Sequence, residues 1–292
     1  MKKLTFLLSV VVYLAFAKAN TARAQQEFKG VAYYTSKTTF KMKKDTASVK
    51  QQDPEKAEMQ AMIREAFKKG STADFKLEFS QTESMYEKEV ELVAPKPSSG
   101  ASITFSSSGP TSSTIYKNLQ DQEFIMKDQI FGKDFLITDK LKTYQWQPTQ
   151  ETKQIGNYTC YKATYTPELT EEQKKAKEEK KEDAKKGSLF ALMDDVDPTI
   201  EVWYTPEIPI ANGPGEYHGL PGLILEVKER NTILLCTKIV MNPEEDFEID
   251  QPRGGKTITQ EKFDALQKKK MEEYQKKNGT KGFIVREVRT SN

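Results

Sequence analysis

Residues 217–226 read YHGLPGLILE, and no other ten-residue stretch restricts the conformations open to this chain as strongly. Pro221 supplies no backbone donor and pushes Leu220 toward an extended conformation. Gly219 and Gly222 admit backbone angles or close approaches that a side chain would block. From there the pattern alternates: Leu223, Leu225 and Val227 fall on one side of an extended chain, with Ile224, Glu226 and Lys228 on the other. Arg230 and Asn231 read as a two-residue turn, Asn being tolerant of left-handed backbone, which sets Val227 opposite Leu234 and Leu225 opposite Cys236. The stretch therefore predicts a tight turn leading into a hairpin with one apolar face.

The residues before it belong to the same unit. In residues 199–204 (TIEVWY), Ile200, Val202 and Tyr204 face opposite to Glu201 and Trp203, as in a strand. Pro206, Pro209 and Pro214 then forbid regular pairing, leaving a rigid apolar loop from Ile208 to Gly215, packed on the neighbouring strand or exposed at a mouth. The run Gly219-Leu220-Pro221-Gly222-Leu223-Ile224 resembles the signature of the GLPGLI family of exported Bacteroidetes proteins, and residues 202–210 (VWYTPEIPI) resemble the segment that precedes it there. The likeness extends in arrangement over about residues 28–240 and is strongest over 158–226. It implies an exported protein of undefined activity, often encoded near TonB-dependent outer-membrane transport systems, and brings no catalytic residues with it. Tyr204, Ile208, Pro209, Tyr217, His218, Gly219, Leu220, Pro221, Gly222, Leu223 and Ile224 stand as a ligand-binding or structural signature.

Residues 1–24 have the physical pattern of a secretory signal peptide: Lys2 and Lys3, an apolar run over 4–17, and a small-residue cleavage site at Ala22-Arg23-Ala24. No later stretch approaches the roughly 20 apolar residues of a membrane-crossing helix. The expected mature protein is a single β-rich domain over 25–292, without a transmembrane span, in the periplasm or outside the cell. Of the 45 basic residues, Lys2, Lys3, Lys18 and Arg23 lie in the leader, against none of the 43 acidic ones. The mature chain is thus close to neutral, which argues against nucleic acid as a partner. Export permits oxidation, so Cys160 and Cys236 are either a disulfide or two buried thiols.

The remaining pattern is mostly of short strands. Residues 28–40 read as a long first strand, 73–93 as one or two, and 114–118, 123–127, 131–138, 144–147 and 155–165 as more. Such close spacing points to antiparallel meander pairing. A helix from Pro54 to about Lys69 presents Met59, Met62, Ile63, Ala66 and Phe67 on one face, a stripe that suits core packing or an adaptable ligand site. Residues 95–113, rich in Ser with Pro and Gly, read as a mobile loop, and 167–187 as a charged helical insertion with little to bury. A last helix over 259–277 is capped by Thr259. The fold class expected is α+β, mainly antiparallel: a curved sheet or half-open barrel with one helix between early strands, the charged insertion and the C-terminal helix.

The scan for chemistry is mostly negative. His218 is the only histidine, and the G-x-S-x-G elbow, H-E-x-x-H and phosphate-cradling glycine loops are missing. Asp194, Asp195 and Asp197 lack the spacing and glycine of a calcium loop, and no cofactor is expected. His218, beside Gly219, either contacts a ligand and titrates near neutrality or packs on the turn. The leading expectation is a non-catalytic exported binding or carrier protein for an apolar small molecule or lipid, serving an outer-membrane transport protein. The alternative is a protein-interaction subunit docking on an envelope partner. An enzyme with an unrecognised carboxylate site comes third.

Overall fold

The computed structural model describes residues 28–39, 71–89, 114–168, 197–245 and 247–278, with isolated positions 171, 174, 175 and 178. These residues build one twelve-stranded sheet and one helix. In chain order the strands are β1 (Gly30–Thr38), β2 (Ser71–Phe79), β3 (Glu83–Lys88), β4 (Thr114–Asn118), β5 (Glu123–Ile130) and β6 (Lys133–Lys140). They continue with β7 (Gln147–Ile155), β8 (Tyr158–Tyr165), β9 (Ile200–Thr205), β10 (Leu223–Glu229), β11 (Thr232–Met241) and β12 (Lys256–Ile258), after which α1 spans Gln260–Asn278. The spatial order is β12-β6-β5-β4-β3-β2-β1-β11-β10-β9-β8-β7. All neighbours are antiparallel except β12 on β6. The sheet is open, with β12 and β7 at its two edges.

Period-two alternation places one apolar row along the inner face. Ala32 lies opposite Leu77 and Tyr34 opposite Phe75, Leu77 is opposite Tyr86, and Tyr86 is opposite Ile115. All six of these side chains, from Ala32 to Ile115, are buried. Burying such residues stabilises the fold by about 1.5–3 kcal/mol per large side chain. Phe75 and Tyr86 stack at 5.2 Å. Tyr34 is deep enough that its hydroxyl needs a partner, and it donates to the Ile224 carbonyl at 2.8 Å. The core continues across β9, β10 and β11 through Val202, Val227 and Leu234. Met126 joins it to a smaller cluster of Ile130, Phe135, Ile137 and Phe263 beneath α1.

The hairpin after the signature forms as its residues dictate. Val227 pairs with Leu234, and the ladder ends at Glu226 opposite Leu235, so Leu225 and Cys236 stand beyond the paired register. The left-handed residue in its turn is Arg230, φ +50°, rather than Asn231. Helix α1 matches the expected C-terminal helix; the Thr259 carbonyl accepts from the Phe263 N–H at 2.9 Å, and Asp139 on β6 accepts from the N–H of Gln260. On the outer face an ion-pair ladder crosses four strands, from Lys228 to Glu201 to Lys162 to Glu151.

Two expectations are corrected and one alternative is resolved. Residues 144–146 join no ladder, although Lys142, Tyr144 and Trp146 lie side by side. The strand lies at 147–155 instead, a polar, exposed edge containing Pro148, whose missing N–H an edge tolerates. Phe131 is in the β5–β6 turn, at φ +48°, where its ring stacks on Tyr274 of α1 at 5.7 Å. Finally, Cys160 and Cys236 are both free. Both are buried in the same core, and β9 and β10 stand between their strands. Burial pushes their thiols up to about 11 and about 12. The leader 1–24, the 54–69 helix with Met59, Met62, Ile63 and Phe67, the loop 95–113 and nearly all of 167–187 lie outside the described residues. Among the described residues no helix is long and apolar enough to cross a membrane.

Candidate functional site

The connection from β9 to β10, residues 206–222, turns inward and covers the inner face of the sheet. Its four prolines donate nothing, so its remaining amides close the segment on itself. Ile210 N–H donates to the Ile208 carbonyl, Asn212 N–H to Ile210, Gly219 N–H to Ala211, and Ile224 N–H back to Asn212, all between 2.8 and 3.0 Å. Asn212 and His218 form an isolated antiparallel bridge. Ile208, Ile210, Tyr217, His218, Leu220, Leu223 and Ile224 are buried, while Pro209, Gly219 and Pro221 reach the surface. Tyr204, on β9, pairs with Ile224. The structure thus gathers the signature residues into one buried unit and gives most of them a packing role.

What fastens this unit is a residue that sequence reasoning passed over. Lys117 lies on β4, on the same row as Ile115, and is fully buried. Its ammonium donates to the carbonyls of Gly213 at 2.6 Å and Tyr217 at 3.1 Å. In sheet order β4 stands five strand spacings from β10, roughly 24 Å if the sheet were flat. The inward connection, together with the curl of the sheet, closes that distance. Burial lowers the Lys117 amine to about 7, against an opposing pull from Glu216. The only sequence hint was a lysine in step with apolar neighbours.

Around this clamp sits a polar and aromatic cluster. Burial, and then the charge of Lys117, lower His218 to about 4, so its imidazole is neutral near pH 7. Tyr217 donates to the Glu229 carboxylate at 2.8 Å. Burial raises the Tyr144 phenol, and Glu216 and Glu229 raise it further. Glu216 keeps solvent-exposed atoms, yet crowding by protein raises its carboxyl, while the nearby Lys142 opposes that shift. Asn212 Nδ2 and His218 Nε2 are buried without a hydrogen-bond partner within the protein. Such groups are rare in cores selected for packing alone. Of the two readings of His218, burial favours packing on the turn, with a neutral ring. Its folded pKa lies below the unfolded value of 6.5, so its contribution to stability is present above pH 6.5 and is lost as pH falls toward 4. Because it is the only histidine, its Hε1 proton resonance should hold the neutral-imidazole position from pH 8 to 5.5. A titration midpoint at 6.5 in the folded protein would show a solvated ring instead.

Two more aromatic residues, Trp146 and Tyr165, complete the site. Tyr144 and Trp146 stack at 5.0 Å and 18°, and Tyr165 at the end of β8 stands edge-on to both, at 5.3 and 6.0 Å. The Trp146 indole N–H donates to the His218 carbonyl at 2.8 Å, so the signature turn holds the ring in place. Among the described residues no group of three or more His, Cys, Asp or Glu is arranged to hold a metal. Lys117, an amine near neutrality, is shut away from any substrate.

No curated protein is significantly similar to this chain. Among solved structures it resembles PNGF-II, in its C2 crystal form, with a TM-score of 0.46 and 13% identity over 83% of this chain and 33% of that one. The P21 form gives a TM-score of 0.44, again at 13% identity, over 84% of this chain and 34% of that one. The chain therefore spans about a third of PNGF-II. Residues 146–226, which run from Trp146 through Tyr165 and the whole inward connection, match the Porph_ging family model, described as a protein of unknown function.

Proposed function

We propose that this chain is an exported, non-catalytic docking protein of the cell envelope, a subunit that presents a folded surface to a partner in an outer-membrane transport system. Export rests on the leader pattern of residues 1–24, and the transport setting on the resemblance of the signature. One observation favours docking over carriage of an apolar ligand: the inner sheet face is taken up by the chain's own residues 206–222. Ile208, Ile210, Tyr217 and Leu220 are each no more than 3% exposed, and Lys117 fastens the segment through two carbonyls. An apolar molecule seated there would have to displace a connection held by its own hydrogen bonds, whereas a small-ligand carrier needs a preformed apolar concavity. A docking protein works with a filled core and a structured rim.

Native mass spectrometry of the mature chain, isolated from its own envelope and followed by organic extraction, tests the assignment. Docking predicts a complex of defined stoichiometry with one envelope protein and nothing apolar in the extract. One apolar molecule per chain, with no protein partner, would replace docking by carriage.

A further inference from the structure

The aromatic corner beside the signature turn already contains a cation. Lys142 Nζ lies 4.9 Å from the ring centre of Tyr144 and 5.3 Å from that of Tyr165. Two aromatic faces set at 85° to one another enclose an ammonium from two sides, and their negative quadrupole faces favour it there. Tyr144 is backed by the stacked Trp146, whose indole is pinned to the His218 carbonyl. The walls are therefore fixed by the core, while Lys142 and Glu216 are exposed at the rim.

A second lysine shows what a permanently locked cation looks like in this protein. Lys153 lies 4.3 Å from the ring centre of Trp203 and also makes an ion pair with Glu226 at 2.7 Å. Among the described residues Lys142 has no carboxylate within ion-pair distance. It is held by the rings, and Glu216 acts on it only from further away. Exposed cation–π contacts are weak, so Lys142 can leave without unfolding anything.

We propose that Tyr144, Trp146 and Tyr165 form a receptor site for the cationic side chain of a partner protein, a lysine ammonium or an arginine guanidinium, and that Lys142 is its resident competitor. That the cation comes from a protein rests on the docking reading. The site itself is argued from geometry, and the choice of a side-chain cation follows from the fact that a lysine already fits. Glu216 at the rim supplies negative charge that favours any incoming cation. Displacing Lys142 replaces one cation–π contact by another, which makes the exchange readily reversible.

The chain has two tryptophans, so Trp203→Phe leaves Trp146 as the only source of an indole N–H signal by NMR. In that background the probes are the N-acetyl, N-methylamide forms of lysine, arginine and norleucine, the last being a neutral mimic of lysine's chain. With Lys142→Ala added, the lysine and arginine probes should shift the Trp146 signal at concentrations about fivefold lower than with Lys142 present, as expected on removal of a competitor held by one weak cation–π site. Norleucine should give no saturating shift. Tyr165→Leu, which keeps bulk but removes one ring face, should abolish the response while the amide spectrum reports an intact fold. Equal responses to lysine and norleucine, or equal midpoints with and without Lys142, would overturn the proposal. Because no partner protein is needed, cation binding without any envelope complex would retain the site and remove the docking reading; a complex without cation binding would do the reverse.

Discussion

Gly222→Ala is expected to destabilise the protein by at least about 3 kcal/mol, read as a shift in its urea midpoint at unchanged slope. A Cβ built at Gly222 would stand 2.1 Å from the Thr205 carbonyl oxygen, 2.5 Å from its carbon and 2.8 Å from the nitrogen of Pro206. These are backbone atoms at the end of β9, where Leu223 pairs with Thr205. No rotamer change relieves the clash, so the strand ends must part and the first pair of the β9–β10 ladder is lost. Gly219→Ala is the internal comparison. The nearest atom to its new Cβ is Trp146 Nε1 at 3.8 Å, so space is available and only the backbone angle, φ +91°, is strained. That substitution should cost about 1–2 kcal/mol. If Gly222→Ala cost less than about 1 kcal/mol, or no more than Gly219→Ala, the close approach of the two strands would be wrong.

The contrast shows what the sequence made legible. That these glycines admit unusual angles or close approaches was legible in the turn itself; which does which, and which backbone comes close, was settled by β9, seventeen residues upstream. A strand with alternating residue types such as β9 was readable almost to the residue because one buried face imposes period two. β7 was not, since an edge strand with polar side chains carries no such pattern. The three-residue β12 exists through its parallel pairing with β6, a contact between residues more than a hundred apart. At 144–147 an extended segment was read as a strand, because residue type reports an extended chain and not its neighbours. The site divides in the same way. His218 and the turn stood out by residue type, whereas Lys117, Lys142 and Trp146 look like surface or strand residues until the inward connection folds over them.

Lys117→Met should change stability by an amount that depends on pH, and the direction follows from linkage. The Lys117 amine sits at about 7 in the folded protein against 10.5 when exposed. Between those values the unfolded chain binds a proton that the folded one does not, so the native protein gains stability as pH rises, by up to about 1.4 kcal/mol per unit. Below pH 7 both states are charged and the folded state carries the full cost of a buried ammonium. Methionine fills similar space with no charge, but it leaves the Gly213 and Tyr217 carbonyls without their donor, a loss of about 1–3 kcal/mol for each group. The substitution should therefore be most damaging at high pH, where the neutral amine fastens residues 206–222 without a charge penalty, and about 2–3 kcal/mol less damaging at pH 7 than at pH 9. Urea denaturation of both proteins at pH 7, 8 and 9 measures this above the range in which His218 titrates. A difference that stays constant across the three would mean that Lys117 holds its proton equally in both states. The clamp would then be a charged one, and its two carbonyl contacts, rather than its burial, would set the strength with which β4 grips the signature segment.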